Sequence, residues 1–508
     1  MAVSEHLHRS SGKHFPAPQM GLDGDCQSPL LVASSAMENY DAVIIGSGPN
    51  GLAAAVHLAR SGWKTLVLEA ADTPGGGTRT KELTLPGFKH DVCSALHPMG
   101  VASPFFQSLD LEANGVRWIH PQIPLAHPLD GGRAAVLQRD LEATAAALGE
   151  DAARYRRVFA PLVKNFPALM SDALAPLKIP KHPLLMARFG WNAAKPATWF
   201  AKGFRSEEAR ALFAGNAAHG VMPLTKMMSS AIGLMLQTCA HAGGWPVPEG
   251  GSQSIADGLV RILKSHGGEL RCGGRVESLA ELPPAKAYLF DVSPKNLARI
   301  CGDALPGNYR SRLQSYRHGP GVFKVDYALN APVPWTNEHC RKAGTVHVGG
   351  TFEEVAAAER AAWDGKLTDK PFVLVAQPSL DDATRAPEGK HIAWAYCHVP
   401  HGSSESRLDA INSQIERFAP GFRDCILAAH TMNCAEMESY NANYIGGDVV
   451  GGVTDLFQLF TRPVARWSPY TTPNGKIFIC SASTPPGAGV HGMCGYWAAE
   501  SVMKRVKR

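Results

Sequence analysis

The chain has 508 residues, more than one compact core uses, so two or three cores are expected, built partly from discontinuous segments. With 45% hydrophobic and 19% charged residues it is not a mainly disordered chain, and a net charge of +5 over this length gives no basis for nucleic-acid binding. Eleven cysteines are scattered without a C-x-x-C pair or zinc-like spacing, which points to reduced, mostly buried thiols in a reducing compartment and to no metal site.

Residues 1–37 mix His, Ser, Pro and Gly with acids, show no periodicity and lack the apolar stretch of a signal peptide; they read as a flexible tail. No charge-free apolar run reaches about 18 residues, so no membrane-spanning helix is expected and the localisation expected is cytoplasmic.

From Tyr40 to Thr80 the elements arrive in an order that carries chemistry. Val43-Ile44-Ile45 is a continuous apolar run, as in a strand buried on both faces of a parallel sheet. It runs into Gly46-Ser47-Gly48-Pro49-Asn50-Gly51, a G-x-G-x-x-G loop, then a helical stretch from Leu52 to Arg60 and a second strand from Lys64 to Leu68 closed by Glu69. Gly46 allows the tight turn, Gly48 lets backbone approach a pyrophosphate, and Gly51 lets helix and strand pack closely. The helix N-terminus presents free N–H groups to phosphate, and Glu69 stands where a carboxylate accepts both ribose hydroxyls and repels a 2′-phosphate. Gly75, Gly76 and Gly77 follow, placed for a second approach to the same dinucleotide.

Residues 141–240 are mostly helical by pattern, and Met227–Ala240 reads as a core helix. Within this region residues 177–205 carry six Lys/Arg, no acid, and Trp191, Trp199 and Phe200 among aliphatics, a composition suited to peripheral contact with a membrane surface. Ile255, Leu259, Ile262 and Leu263 form one face of a further helix ended by Gly267-Gly268, after which a short strand pair is expected. Residues 319–335 alternate with strand period, and 345–350, 371–377 and 391–399 add three strands of an expected mixed sheet. The chain closes with a strand over Ile477–Cys480, a loop containing Gly487, Gly489 and Gly492, and a helix from about Gly495.

These stretches together resemble the phytoene desaturase/dehydrogenase-like branch of the flavin amine oxidase superfamily, and the pyridine nucleotide-disulfide oxidoreductase domain-containing protein 2 group. The resemblance covers most of the chain. It implies an α/β fold: a Rossmann-type FAD-binding domain from residues 38–105, 246–303 and 465–508, and a discontinuous α+β substrate domain, a mixed sheet covered by helices, from 106–245 and 304–464. It implies one FAD, held at one end by Gly46, Ser47, Gly48, Asn50, Gly51, Glu69, Gly75, Gly76 and Gly77, with Val276 offering backbone to the adenine. Ser483, Gly487, Gly489 and Val490 lie along the flavin. Many members have Arg after the glycine pair; Gly77 stands there, and Arg79 is the candidate replacement.

A flavin accepts a hydride, so the expected activity is dehydrogenation, saturation or isomerisation of a hydrophobic, polyene- or isoprenoid-like small molecule. The alternatives are an amine oxidase, which an aromatic cage at the flavin would favour, and a non-enzymatic binder of the GDP-dissociation-inhibitor type. His491 is the catalytic candidate, as a base in the loop crossing the flavin or as a structural histidine. Cys494 reads as a buried thiol, with covalent flavin attachment as its other reading, and His97, His398 and His401 are further candidates for the cavity wall. Oligomeric state and electron acceptor are not legible.

Overall fold

The computed structural model describes residues 39–506. The expected tail at 1–37 lies outside them. Two sheets organise the chain. The smaller has five strands, in the order Ile477–Ile479, Ala285–Phe290, Tyr40–Ile45, Thr65–Leu68 and Glu269–Arg271, every neighbouring pair parallel. Val43, Ile44 and Leu66 have no exposed surface, because helices cover both faces and the strands carry apolar residues throughout. The helix Pro49–Arg60 begins with Pro at its first position, where no intrahelical N–H is needed.

The larger sheet has seven strands in the order Ile426–Met432, Gly321–Leu329, His391–Val399, Val373–Ala376, Ala343–Val348, Ile123–Pro128 and Ala134–Leu137. All its pairings are antiparallel except that of Ala343–Val348 with Ile123–Pro128, so it is mixed, as expected. The four expected strands are present. Those at 123–128, 134–137 and 426–432 were not foreseen. Helices Glu207–Ala218 and Ser230–Ala242 pack together and are buried along most of their length. The core-helix reading therefore holds, shifted by a few residues.

Two local expectations differ. Residues 272–278 form extended coil rather than the second member of a strand pair, so Val276 lies on a loop. Nine cysteines are free thiols, whereas Cys272 is disulfide-bonded, so the reduced reading holds for those nine and not for Cys272. Among the described residues no helix is long and apolar enough to cross a membrane, and no group of three or more His, Cys, Asp or Glu is arranged to hold a metal ion.

Candidate dinucleotide site

One cavity of about 620 Å³ runs from the carboxyl ends of the small-sheet strands to the face of the large sheet. Gly46, Ser47, Gly48, Asn50, Glu69, Gly76, Gly77, Val276, Ser483, Gly489 and Val490 all line it, so residues more than four hundred positions apart meet at one site. Gly51, Gly75 and Gly487 stand behind the lining.

The glycines are there because backbone passes backbone. A Cβ on Gly51 would lie 2.1 Å from the Gly46 carbonyl oxygen, and one on Gly76 only 3.1 Å from the Gly48 Cα. Gly75, with φ of +122°, donates its N–H to the Ser47 carbonyl at 3.0 Å and so pins the second glycine stretch onto the first. The C-terminal helix Met493–Arg505 crosses the first helix at Gly495, where a Cβ would stand 1.8 Å from the Asn50 carbonyl oxygen. Both glycine stretches are thus fixed to the same helix end.

Glu69 is nearly buried and its carboxylate already accepts four hydrogen bonds. The Ser47 N–H (2.9 Å) and hydroxyl (2.5 Å) donate to Oε2; the Ala71 N–H (2.9 Å) and Arg79 Nη2 (2.9 Å) donate to Oε1. That fills the acceptor capacity of a carboxylate. Ribose hydroxyls arriving there would share these donors' sites or displace the Ser47 hydroxyl. Arg79, the candidate pyrophosphate contact, is instead committed to Glu69 and to the Thr73 carbonyl, although it does line the cavity.

Asp291, missed in the sequence, sits at the end of strand Ala285–Phe290 and lines the phosphate end of the cavity. Its Oδ2 accepts the Gly51 N–H at 2.9 Å, and a Cβ on Gly48 would come within 2.6 Å of the same oxygen. Burial, with the Glu69 charge adding to it against the Gly51 hydrogen bond, pushes the Asp291 carboxyl up to about 7.

The catalytic candidate is not where the sequence put it. His491 is fully buried and does not line the cavity; its ring lies behind Gly489, whose added Cβ would be 3.0 Å from the His491 Cδ2. Its Nδ1 accepts the Met493 N–H at 3.0 Å, which fixes the tautomer with hydrogen on Nε2, and burial pulls its pKa down to about 4. The loop turns its backbone to the cavity and its imidazole to the core. Cys494 is also outside the lining, its thiol donating to the Thr484 and Gly487 carbonyls at 3.4 Å. His97 does line the cavity, with Nε2 2.8 Å from the Ser252 hydroxyl, while His398 pairs with Glu359 at 2.7 Å and His401 with the Gly319 carbonyl at 2.8 Å, both away from it.

Beyond the glycine loops the wall is supplied by the large sheet and the helical layer: Val221, Ile232, Leu236, Trp245, Leu374, Trp394 and Tyr396, with Lys324 and His219 as polar groups. Trp394 and Tyr396 stand two apart on one strand with ring centroids 5.2 Å apart at 73°. Lys324 is buried and bonded to Asp326. His219 Nε2 lies 3.0 Å from His347 Nε2, and burial holds His219 down to about 3 and His347 well below the ordinary histidine value. The sequence signal for these residues was strand periodicity around Lys324, Leu374, Trp394 and Tyr396 and helical pattern around Ile232 and Leu236, neither of which names a partner across the cavity.

A parallel five-stranded sheet, a glycine loop on a helix N-terminus, a buried carboxylate at the end of the second strand and an apolar chamber against the same cavity are the features of a dinucleotide-binding oxidoreductase. Residues 44–109 match the NAD(P)-binding Rossmann-like domain. The chain is 25% identical to the rat pyridine nucleotide-disulfide oxidoreductase domain-containing protein 2 over 99% of its own length and 98% of the relative's, and 25% identical to the phytoene dehydrogenase of Streptomyces griseus over 76% and 77%. Among solved structures, putrescine oxidase with bound putrescine has the same fold, with a TM-score of 0.60 at 17% identity over 92% of this chain and 100% of that one.

Proposed function

We propose that the protein is an FAD-dependent oxidoreductase of the phytoene desaturase type, which dehydrogenates, saturates or isomerises a hydrophobic, unsaturated small molecule. The observation that carries this reading is the single cavity: the two glycine stretches and Glu69 line one end of it, and apolar side chains line the other. The cradle fits a dinucleotide, since a Cβ at Gly46, Gly51 or Gly76 would meet backbone and one at Gly48 the Asp291 carboxyl, and the buried Asn50 Oδ1 has no hydrogen-bond partner of its own. FAD, when bound, would supply the hydride acceptor for dehydrogenation and, in its reduced form, the hydride donor for saturation. The protein's residues then do the rest. The helix N-terminus and glycine backbone hold phosphate, Glu69 with Ser47 and Arg79 holds the ribose, and the Ala488–Val490 backbone provides a surface for the ring. The aliphatic wall orients an apolar substrate and excludes water.

One observation favours a second reading, amine oxidation: Trp394 and Tyr396 form an aromatic pair in the same chamber. Against it, Asp326 beneath the chamber is already paired with Lys324, so that pair presents no free carboxylate to a protonated amine. Nothing in the cavity favours the non-enzymatic binder, and the relatives are named as oxidoreductases. Residence in the cytoplasm is kept as part of this proposal, as is the division of the chain into flavin and substrate domains along its two sheets.

The test is anaerobic mixing of the flavin-loaded protein with a polyene panel and an amine panel, followed by flavin absorbance. Bleaching by a polyene supports the desaturase reading, and bleaching by amines alone replaces it with the second.

A further inference from the structure

We propose that residues 177–205, with the two loops packed beneath them, seat the protein on an anionic phospholipid bilayer beside the apolar end of the cavity. The placement of the cavity end matters only if the substrate is hydrophobic, as proposed above; the docking itself does not depend on it.

Large apolar side chains are grouped in the open here. Ile179 is 91%, Leu184 85%, Trp191 75%, and Leu177 and Trp199 each 63% exposed, a density that a water-facing surface does not need. The helix Pro183–Ala193 puts Leu184, Arg188 and Trp191 on one exposed face, at helical spacings of four and three. Around them lie the six Lys/Arg of the segment and no acid of its own. Of the acids on neighbouring elements, Asp172 is buried and accepts the Lys181 and His182 N–H groups, Asp151 is buried and accepts the Arg205 and Ser206 N–H groups, and Glu150 pairs with Arg205 at 3.5 Å. The Lys195 ammonium lies 5.2 Å from the centre of the Trp191 ring, donating to the Asn192 side chain at 2.9 Å, and the Lys178 ammonium lies 4.5 Å from that of Trp497, so cation and aromatic surface are interleaved on this face.

This face is joined to the cavity by its neighbours. The Met228 N–H donates to the Ala194 carbonyl at 3.0 Å and the Thr198 N–H to the Leu224 carbonyl at 3.1 Å, fastening the segment to the loop 220–229. The Thr454 hydroxyl donates to the Gly220 carbonyl at 3.0 Å, fastening that loop to the stretch bearing exposed Leu456, Phe457 and Phe460. The same two loops wall the cavity, through Val221 and through Val449 to Gly451. Tryptophan and aliphatic groups ringed by cations match the headgroup boundary of an anionic leaflet. A second copy of this chain is a poor occupant, because a two-fold interface would set this cationic face against itself.

The experiment is co-sedimentation of the full chain with phosphatidylcholine vesicles, with and without phosphatidylserine, at low and high salt. Thermal melting checks that each variant is folded. Binding is expected to need phosphatidylserine, to fall with salt, and to weaken about fivefold for each basic residue removed in Lys181→Ala and Lys202→Ala. Leu184→Glu with Trp191→Glu is expected to reduce it to the phosphatidylcholine background. Absence of binding at low salt overturns the proposal, as does wild-type binding by the folded Leu184→Glu/Trp191→Glu variant. Self-association in light scattering that the same variant abolishes, without vesicle binding, would make the face a protein interface instead. Since vesicle binding is read without substrate, its failure and a failure of polyenes to reduce the flavin are separate results.

Discussion

Asp291 and Glu69 are two carboxylates at the ends of the two strands that flank Tyr40–Ile45 in the parallel sheet, and they do opposite work. Glu69 is surrounded by four donors, which fix the position of its carboxylate, the group proposed to meet the ribose. Glu69→Ala is expected to weaken FAD binding by about 1.5–3 kcal/mol, the range for a charge-assisted hydrogen bond lost from a buried site, as read by titrating apoprotein with FAD. An unchanged dissociation constant would mean that the ribose is held elsewhere. Asp291 has one donor and faces the place where phosphate would sit. Because its pKa is raised to about 7, the neutral form is the one that the folded protein favours. Its contribution to stability is therefore complete below the ordinary carboxylate pKa and is lost as pH rises through about 7. A phosphate beside it sharpens the same preference. FAD affinity is expected to fall above that pH by up to about tenfold per unit, and Asp291→Asn is expected to flatten the profile. Equal slopes in wild type and Asp291→Asn would contradict this assignment.

The C-terminal loop and helix act as a single piece with the first helix. His491 accepts the Met493 N–H, one of the free donors at the start of Met493–Arg505, and so serves that helix as a cap. His491→Ala is expected to cost about 0.5–2 kcal/mol of stability, as cap removals do, and to lower flavin content. Flavin reduction per bound FAD is expected to stay within about threefold of wild type; a loss of 10² or more would restore His491 as a base. At Gly495 the two helices touch through backbone, so Gly495→Ala must push them apart. A loss of about 1–3 kcal/mol or more in denaturant unfolding, with FAD lost first, is the expected result. The glycine loop, Glu69 and the closing strand–loop–helix were legible because each is a local pattern with a local cause. The direction of the His491 side chain was not, since nearby glycines leave the backbone free to turn it either way, and the bonds that hold it, from the Ser103 hydroxyl to its carbonyl and from the Met493 N–H to its ring, are formed only in the folded loop.

At the scale of the molecule, the two sheets meet across the cavity, and what each contributes differs in how far it could be read. The parallel sheet follows from strand–helix alternation and apolar runs. The seven-stranded sheet brings Ile123–Pro128 beside Ala343–Val348, more than two hundred residues away, and no periodicity in either names the other. Lys324, Trp394, Tyr396 and His219 therefore converge on the chamber for reasons visible only in three dimensions, and Asp291 was passed over because "FDVSP" carries no motif. Both glycine stretches are proposed to clamp one dinucleotide, FAD. The most direct measurement is the visible spectrum and flavin-to-protein ratio of the purified chain, before and after acid precipitation. The account predicts an oxidised-flavin spectrum, one FAD per chain, and colour released into the supernatant. Colourless protein whose apo form also fails to bind added FAD would contradict it.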